Sequence, residues 1–367
     1  MRLGLFMMPL HPPERPMHET LAEDTEKSLL ADRLGFQELW IGEHFSASSE
    51  PIASPMMFMA SLLPATRLTF ATGVINLPNH HPAIVAAEVA QFDHMSQGRF
   101  IMGIGPGGLA SDWELFGNTD AAQRGKRMLS HIDTILQIWR QDPPYAIEGA
   151  RITNAIIPEF GVGTMPKPFQ RPHPPIAITA RSMDSFGVRT AAERGWSVVS
   201  ANFVAERIVA GHWRTMGAAL AAHGKPASGA DWRVSRNFCI AATDAEAEDR
   251  MLAADGANRY YFHYLSTLAR RAGQLETLKP ASDTPDEAVT LEAIIRDCVI
   301  CGSPSTVLDR LVAFRDRVGP FGHLLMAGLD WSGANAAWEA ETMQHLAQQV
   351  MPRFRQHVAA TWAAATA

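Results

Sequence analysis

Cysteine is scarce in this chain. Three of 367 residues, Cys239, Cys298 and Cys301, make no disulfide framework and fit a reducing compartment. Cys298 and Cys301 form a Cys-x-x-Cys pair, but a structural zinc site wants four ligands, and no second pair or nearby His-x-x-x-His supplies the other two. A redox pair would open a helix after a strand, whereas this one runs into "GSPS". The two thiols therefore read as apolar residues, and no metal is expected. Basic blocks are missing as well, and a net charge of −6 argues against a nucleic-acid or anionic-membrane surface. The N-terminal apolar run, Leu3 to Pro9, is too short for a signal-peptide core and lacks a small-residue cleavage site after it. The expected location is the cytoplasm. Low-complexity sequence is confined to the Ala-rich tail, and no glycine run matches a Rossmann or Walker fingerprint.

What is present is an alternation of short β-rich runs with longer helical patterns, the signature of βα units around a parallel sheet. Strands are predicted at Leu3–Met8, Glu38–Glu43, Leu68–Ile75, Arg99–Gly105, Pro175–Ala180, Trp196–Ala201, Trp232–Ala241 and Gly322–Gly328. Most are nearly continuous apolar runs, as expected of strands covered on both faces. Gly35, Gly98, Gly195 and Gly319 stop the intervening helices. Eight units predict an α/β fold, the (β/α)8 TIM barrel, as a single domain over residues 1–367. Its excess length falls in stretches after strand 4 (Gly107–Gln123), before strand 5 (Gln141–Pro174, with "YAIEGARITN" as a hairpin) and after strand 7, a mostly helical insertion at about 243–303. A C-terminal helix is expected at about 335–365. Insertions that follow strands build the active-site face of a barrel.

Glu43 and His44 end the second strand in "ELWIGEHF". Charged groups avoid an unpaired core position, and the C-terminal end of a barrel strand is its mouth. His44 there can exchange a proton with a bound substrate, or it can cap a helix or pack under a loop. A second polar cluster, Asn76, Asn79, His80 and His81, follows the third strand. Adjacent histidines suggest metal, but the first strand ends "FMMP" and offers no ligand. "GIGPGG" (Gly103–Gly108) and "TARSMDS" (Thr179–Ser185) are the stretches suited to an anion: small residues let backbone N–H groups approach, and Ser182 and Ser185 open a helix beside Arg181. Met8, Trp113, Phe203 and Trp331 are candidates for an apolar substrate wall, or for core.

Taken together and in order, "GFQELWIGEHF", "GVINLPNHHPAIVAAEVAQFDHMSQGRFIMGIGPG", "IAITARSMDSFGVRTAAERG" and "CGSPSTVLDRLVAFRDRVGPFGHLLM" resemble the bacterial luciferase-like flavin monooxygenases. Within that family the chain looks closest to the limonene and diketocamphane branch, the type II Baeyer–Villiger monooxygenases. The resemblance implies a two-component, FMN-dependent oxidoreductase, a homodimer, that takes reduced FMN from a separate flavin reductase, reacts it with O2 to a flavin hydroperoxide, and oxygenates a small hydrophobic ketone or terpene-like molecule. It implies His44 as the acid/base near the flavin, and a non-prolyl cis peptide at Gly73–Val74 against the isoalloxazine. Asn76 and Gly105 would line the cofactor, and Ser182 and Ser185 would hold its phosphate. Pro106 stands where luciferase has a phosphate-binding arginine, so Arg181 is the candidate for that charge. Luciferase's reactive thiol and aldehyde-pocket aromatics have no counterpart, and light emission is not expected. Two alternatives share the fold: a deazaflavin-dependent dehydrogenase, and a flavin-binding protein without turnover.

Overall fold

Strand formation follows the apolar runs. A computed structural model of the protein describes residues 1–8 and 10–366, with side chains through residue 360. Its barrel strands are β1 (Arg2–Met7), β2 (Glu38–Ile41), β3 (Thr69–Thr72), β4 (Phe100–Gly105), β5 (Ile176–Ala180), β6 (Ser197–Ser200), β7 (Arg233–Ile240) and β8 (His323–Gly328). Seven lie within their predicted runs, trimmed by a few residues where the chain leaves the ladder, and β1 is shifted one residue toward the N-terminus, starting at Arg2. Nearly every strand residue is buried, as covered faces require. The fold is a (β/α)8 barrel.

Two compact units divide the chain, residues 1–39 with 178–367, and residues 40–177. Both boundaries fall inside strands, β2 and β5. In the first unit the strand order is β5-β6-β7-β8-β1-β2. Arg2 registers with His323 and Met7 with Gly328 along the parallel β1–β8 pair, and Arg233 registers with both His323 and Val199. In the second unit the order is β2-β3-β4-β5, with Phe70 opposite Phe100.

The side-chain period of two fixes what faces inward. Arg233 reaches Glu38 with Nε and Nη2, both at 2.9 Å, and His323 Nδ1 lies 3.0 Å from the same carboxylate. Arg233, Ser235 and Asn237 therefore share the inner face of β7. Arg236 points the other way, with its guanidinium 4.7 Å from the Phe314 ring on helix Pro304–Val318.

After β4, the predicted loop contains the short helix Ala110–Leu115 and leads into Ala121–Arg140. Before β5 the expected hairpin forms from Tyr145–Ile147 and Ala150–Ile152, antiparallel. The insertion after β7 is helical at Asp244–Leu252, Ala257–Arg271 and Leu291–Cys298. It also contains a strand the sequence reading did not predict, Val299–Gly302. β7 divides its pairing accordingly: Arg233–Arg236 bond to β8, and Asn237–Ile240 bond to Val299–Gly302. This register sets Cys301 opposite Cys239, and all three cysteines are buried. The C-terminal helix begins at Asn335, passes through one π-helical segment, Leu346–Val350, and continues to Thr366. Among the described residues no helix is long and apolar enough to cross a membrane.

Candidate active site

The second unit resolves why a carboxylate and an imidazole follow "LWI". Glu43 is buried, and its Oε1 accepts from the Asn76 backbone N–H at 2.7 Å and lies 2.9 Å from His80 Nε2. Asn76 Nδ2 returns a bond to the Glu43 carbonyl at 3.2 Å. Burial pulls the His80 pKa down, but the hydrogen bond and charge of Glu43 outweigh it and raise the imidazole above its ordinary value. Glu43 thus joins the strand end to the segment after β3.

His44 lies between two carboxylates. Its Nδ1 is 3.1 Å from Asp112 Oδ2, and its Nε2 is 3.1 Å from Glu50 Oε2. The second contact is an ion pair out of line for a hydrogen bond, since Glu50 Oε2 has no hydrogen-bond partner among the described residues. Burial lowers the His44 pKa, the charges of Glu50 and Asp112 raise it, and the net shift is upward. Burial also raises the Glu50 carboxyl, more than His44 lowers it. Asp112 goes the other way: burial raises it, but hydrogen bonds from His44 and Ser46 hold it below the usual carboxylate range. The Asp112 carboxylate also accepts from the Phe45 and Ser46 backbone N–H groups at 3.2 and 2.9 Å, so it fixes the chain leaving β2. The sequence reading missed both carboxylates. Asp112 sits in a stretch read as loop and Glu50 far from any strand, and neither has a local signal.

Gly73–Val74 is a cis peptide, at the position the resemblance implies. Ile75–Asn76 forms a short strand on β4, with Asn76 in register with Gly105, which brings two predicted residues side by side. A Cβ on Gly103 would come within 1.9 Å of the Thr72 carbonyl oxygen. The glycine there serves strand packing, which is a different reason from the anion approach its motif suggested. Gly107 adopts φ +88°, and a Cβ on it would lie 3.2 Å from Trp113 Nε1. That indole N–H is buried without a hydrogen-bond partner among the described residues, and the Arg124 guanidinium stands 3.6 Å from the ring. Of the remaining polar cluster, His81 Nδ1 caps helix Pro82–Met95 by accepting from the Ala83 N–H, and Asn79 accepts from Asn118.

In the first unit, Ser185 is the N-cap of helix Phe186–Arg194, accepting from the Val188 N–H at 3.4 Å. Ser182 is exposed, and its carbonyl lies 2.9 Å from His212 Nε2. The Arg181 guanidinium stands 5.3 Å from the Phe203 ring. Phe203 packs on the apolar core of the insertion. Met8 is half-buried just past β1. Trp331 donates from Nε1 to Glu339 Oε2 at 2.5 Å, beside the buried Lys27, which pairs with Glu339 at 3.1 Å. His11, Glu23 and Asp330 converge in a way that suits a metal, but Arg15 already pairs with Glu23 at 2.5 Å and Asp330 at 2.8 Å.

Each unit contains donors that fit a phosphorylated flavin by their chemistry. The second unit has a small-residue loop at Gly105–Gly108 and an unpaired indole N–H. The first has serine hydroxyls at a helix start beside a guanidinium, a donor set suited to a phosphate monoester.

Comparison with known proteins agrees with this layout. A family model described as luciferase-like monooxygenase matches residues 1–319. The 4-hydroxyprotoasukamycin monooxygenase of Streptomyces nodosus subsp. asukaensis is 31% identical over 96% of this chain and 91% of its own length. Limonene 1,2-monooxygenase of Rhodococcus erythropolis is 29% identical over 96% and 86%. Among solved structures, the oxygenating constituent of 3,6-diketocamphane monooxygenase from Pseudomonas putida, described as a type II Baeyer–Villiger monooxygenase in complex with FMN, superposes with a TM-score of 0.84. It covers 96% of this chain and 98% of its own at 24% identity, a likeness of fold. The chain is a member of the luciferase-like monooxygenase family.

Proposed function

We propose that this chain is the oxygenating component of a two-component monooxygenase that takes reduced FMN from a separate reductase and oxidises a small, largely apolar organic substrate. The observation that carries the reading is the buried Asp112–His44–Glu50 cluster at the end of β2. The fold and family provide its context.

The chemistry that reduced FMN supplies when bound is two electrons for O2, with one oxygen atom entering the substrate and the other leaving as water. The protein's residues supply binding and proton control. Ser182, Ser185 and Arg181 are assigned to the phosphate, and Gly73, Val74, Asn76 and Gly105 to the ring system. His44 offers Nε2 for proton exchange, since Asp112 orients Nδ1 and the neighbouring carboxylates favour the charged imidazole, raising its pKa above the ordinary value. Because Nε2 lacks an aligned hydrogen bond to Glu50, that proton is the one free to move. Glu50, whose Oε2 lies 3.1 Å from that nitrogen, is the carboxylate with which it can exchange the proton.

The test is to mix the protein anaerobically with reduced FMN, admit O2, and follow the flavin absorbance by stopped flow. A transient spectrum that outlasts the oxidation of free reduced FMN supports the reading. Oxidation at the free-solution rate, with no transient, overturns it.

A further inference from the structure

The inner face of β7 is polar along its length. Arg233 is committed to Glu38 and His323 at one end. Ser235 follows, fully buried, its Oγ without a hydrogen-bond partner among the described residues. Asn237 comes next, nearest the C-terminal end, where barrel enzymes meet their ligands. Around Asn237, three residues from three elements of the same unit form one hydrogen-bonded group. Asn202, just after β6, donates from Nδ2 to Asn237 Oδ1 at 2.8 Å and to the Tyr261 hydroxyl at 2.9 Å. Tyr261 arrives on helix Ala257–Arg271 of the insertion. All three side chains are more than nine-tenths buried.

A carboxamide has two N–H donors and one carbonyl acceptor. Asn202 has used both hydrogens, which leaves its Oδ1 as an acceptor. Asn237 has used its oxygen, which leaves its Nδ2 as a donor. Among the described residues neither remaining atom has a hydrogen-bond partner. Buried amide groups are ordinarily satisfied, so a buried acceptor and a buried donor left over on two linked side chains mark a place for a complementary group.

We propose that Asn202 and Asn237 bind the polar end of the organic substrate, a ketone with a hydroxyl on the neighbouring carbon. The hydroxyl donates to Asn202 Oδ1, and the carbonyl accepts from Asn237 Nδ2. This rests on the monooxygenase reading in that the bound molecule is the one oxidised. The delivery of Tyr261 by an insertion favours substrate over cofactor, because segments grafted after barrel strands set specificity while the framework holds what the family shares. The apolar remainder of the molecule meets Phe203 and the insertion's core, to which Tyr261 itself belongs. A pure hydrocarbon cannot answer either amide and is rejected for that reason.

The experiment uses the flavin-free full chain and three probes of similar size: 3-hydroxycamphor, camphor and limonene. Affinities are read from ligand-detected NMR titrations, and FMN affinity is read separately from fluorescence quenching. The expected order is hydroxyketone over ketone by about tenfold and over hydrocarbon by about a hundredfold or more. Asn237→Leu abolishes the preference and leaves FMN affinity unchanged. Should Asn237→Leu fail to melt cooperatively, Tyr261→Phe, which removes one hydroxyl, carries the test and weakens the preference several-fold. Equal affinity for the three probes, no binding of the hydroxyketone at millimolar concentration, or a preference unchanged in the variants overturns the proposal. So does a fall in FMN affinity in Asn237→Leu, which would make these amides cofactor ligands. Failure of the monooxygenase reading would appear elsewhere, as free-solution oxidation of reduced FMN in a protein that still prefers the hydroxyketone.

Discussion

His44 Nδ1 and Asp112 Oδ2 lie 3.1 Å apart, across 68 residues of sequence, and the contact joins the end of β2 to the short helix after β4. Asp112 thereby fixes the orientation of the imidazole and supports its charge. His44→Ala is expected to lower single-turnover substrate oxidation by about a hundredfold or more. Asp112→Asn, which preserves shape but removes the charge, should cost about tenfold and lower the apparent pKa of the reaction. FMN affinity should change little in either variant. An unaltered rate in His44→Ala removes this residue from the mechanism.

Three histidines should titrate apart. His44 and His80 have pKa values raised above the ordinary histidine value of about 6.5, whereas burial pushes His212 down to about 4. Carbon-detected NMR of the ring signals should find the first two charged above pH 6.5 and His212 neutral until near pH 4. Linkage then gives opposite trends. Stabilisation from His44 and His80 is complete below pH 6.5 and fades as pH rises through their folded values. That from His212 is complete above pH 6.5 and is lost as pH falls toward 4. Burial alone would raise Glu38, but His323 and Arg233 hold its carboxyl well below the usual range. Its contribution is lost as pH falls below the ordinary glutamate value. Urea melts at pH 4, 6 and 8 on wild type and His212→Asn separate these contributions.

Removing Arg233 takes the permanent positive charge away from Glu38 in the barrel interior and leaves His323 beside it. Arg233→Met should lower unfolding free energy by about 3–5 kcal/mol, the scale for breaking a buried ion pair from one side. Replacing Arg233 and Glu38 together with apolar residues should recover much of that loss. Denaturant curves on the single and double variants check both expectations.

Gly103→Ala should be among the most damaging small substitutions in the chain, because its methyl group would meet the backbone of β3, where no side chain can yield. A loss of about 3 kcal/mol or more is expected. A wild-type melting temperature would show that the β3–β4 contact relaxes.

The two serines after β5 should separate by readout. Ser185→Ala removes an N-cap and should lower stability by about 1 kcal/mol. Ser182→Ala leaves the melt unchanged, since the side chain is exposed. If Ser182 holds phosphate, fluorescence titration will find FMN affinity reduced.

All eight barrel strands were legible because burial on two faces leaves a mark in one dimension, an apolar run bounded by glycine and by helix patterns. The hairpin at Tyr145–Ile152 was legible for a similar reason: its turn residues are local. Partnerships between charges were not. Glu38 opens an apolar strand, and nothing nearby announces that Arg233 and His323 will meet it. Asp112 and Glu50 were passed over because their value to His44 exists only after three segments converge. Val299–Gly302 was hidden by its length, since four apolar residues directly following a helix read as that helix's end.

The divided pairing of β7 has a consequence for how such a protein changes over time. Its first half is bound into the ring, and its second half is bound to the insertion's own strand. Loss or gain of residues beyond Ile240 can therefore rebuild the insertion while the ring keeps its ladder. A lineage can vary the upper half of one strand, and what is attached to it, without wagering the stability held in the lower half.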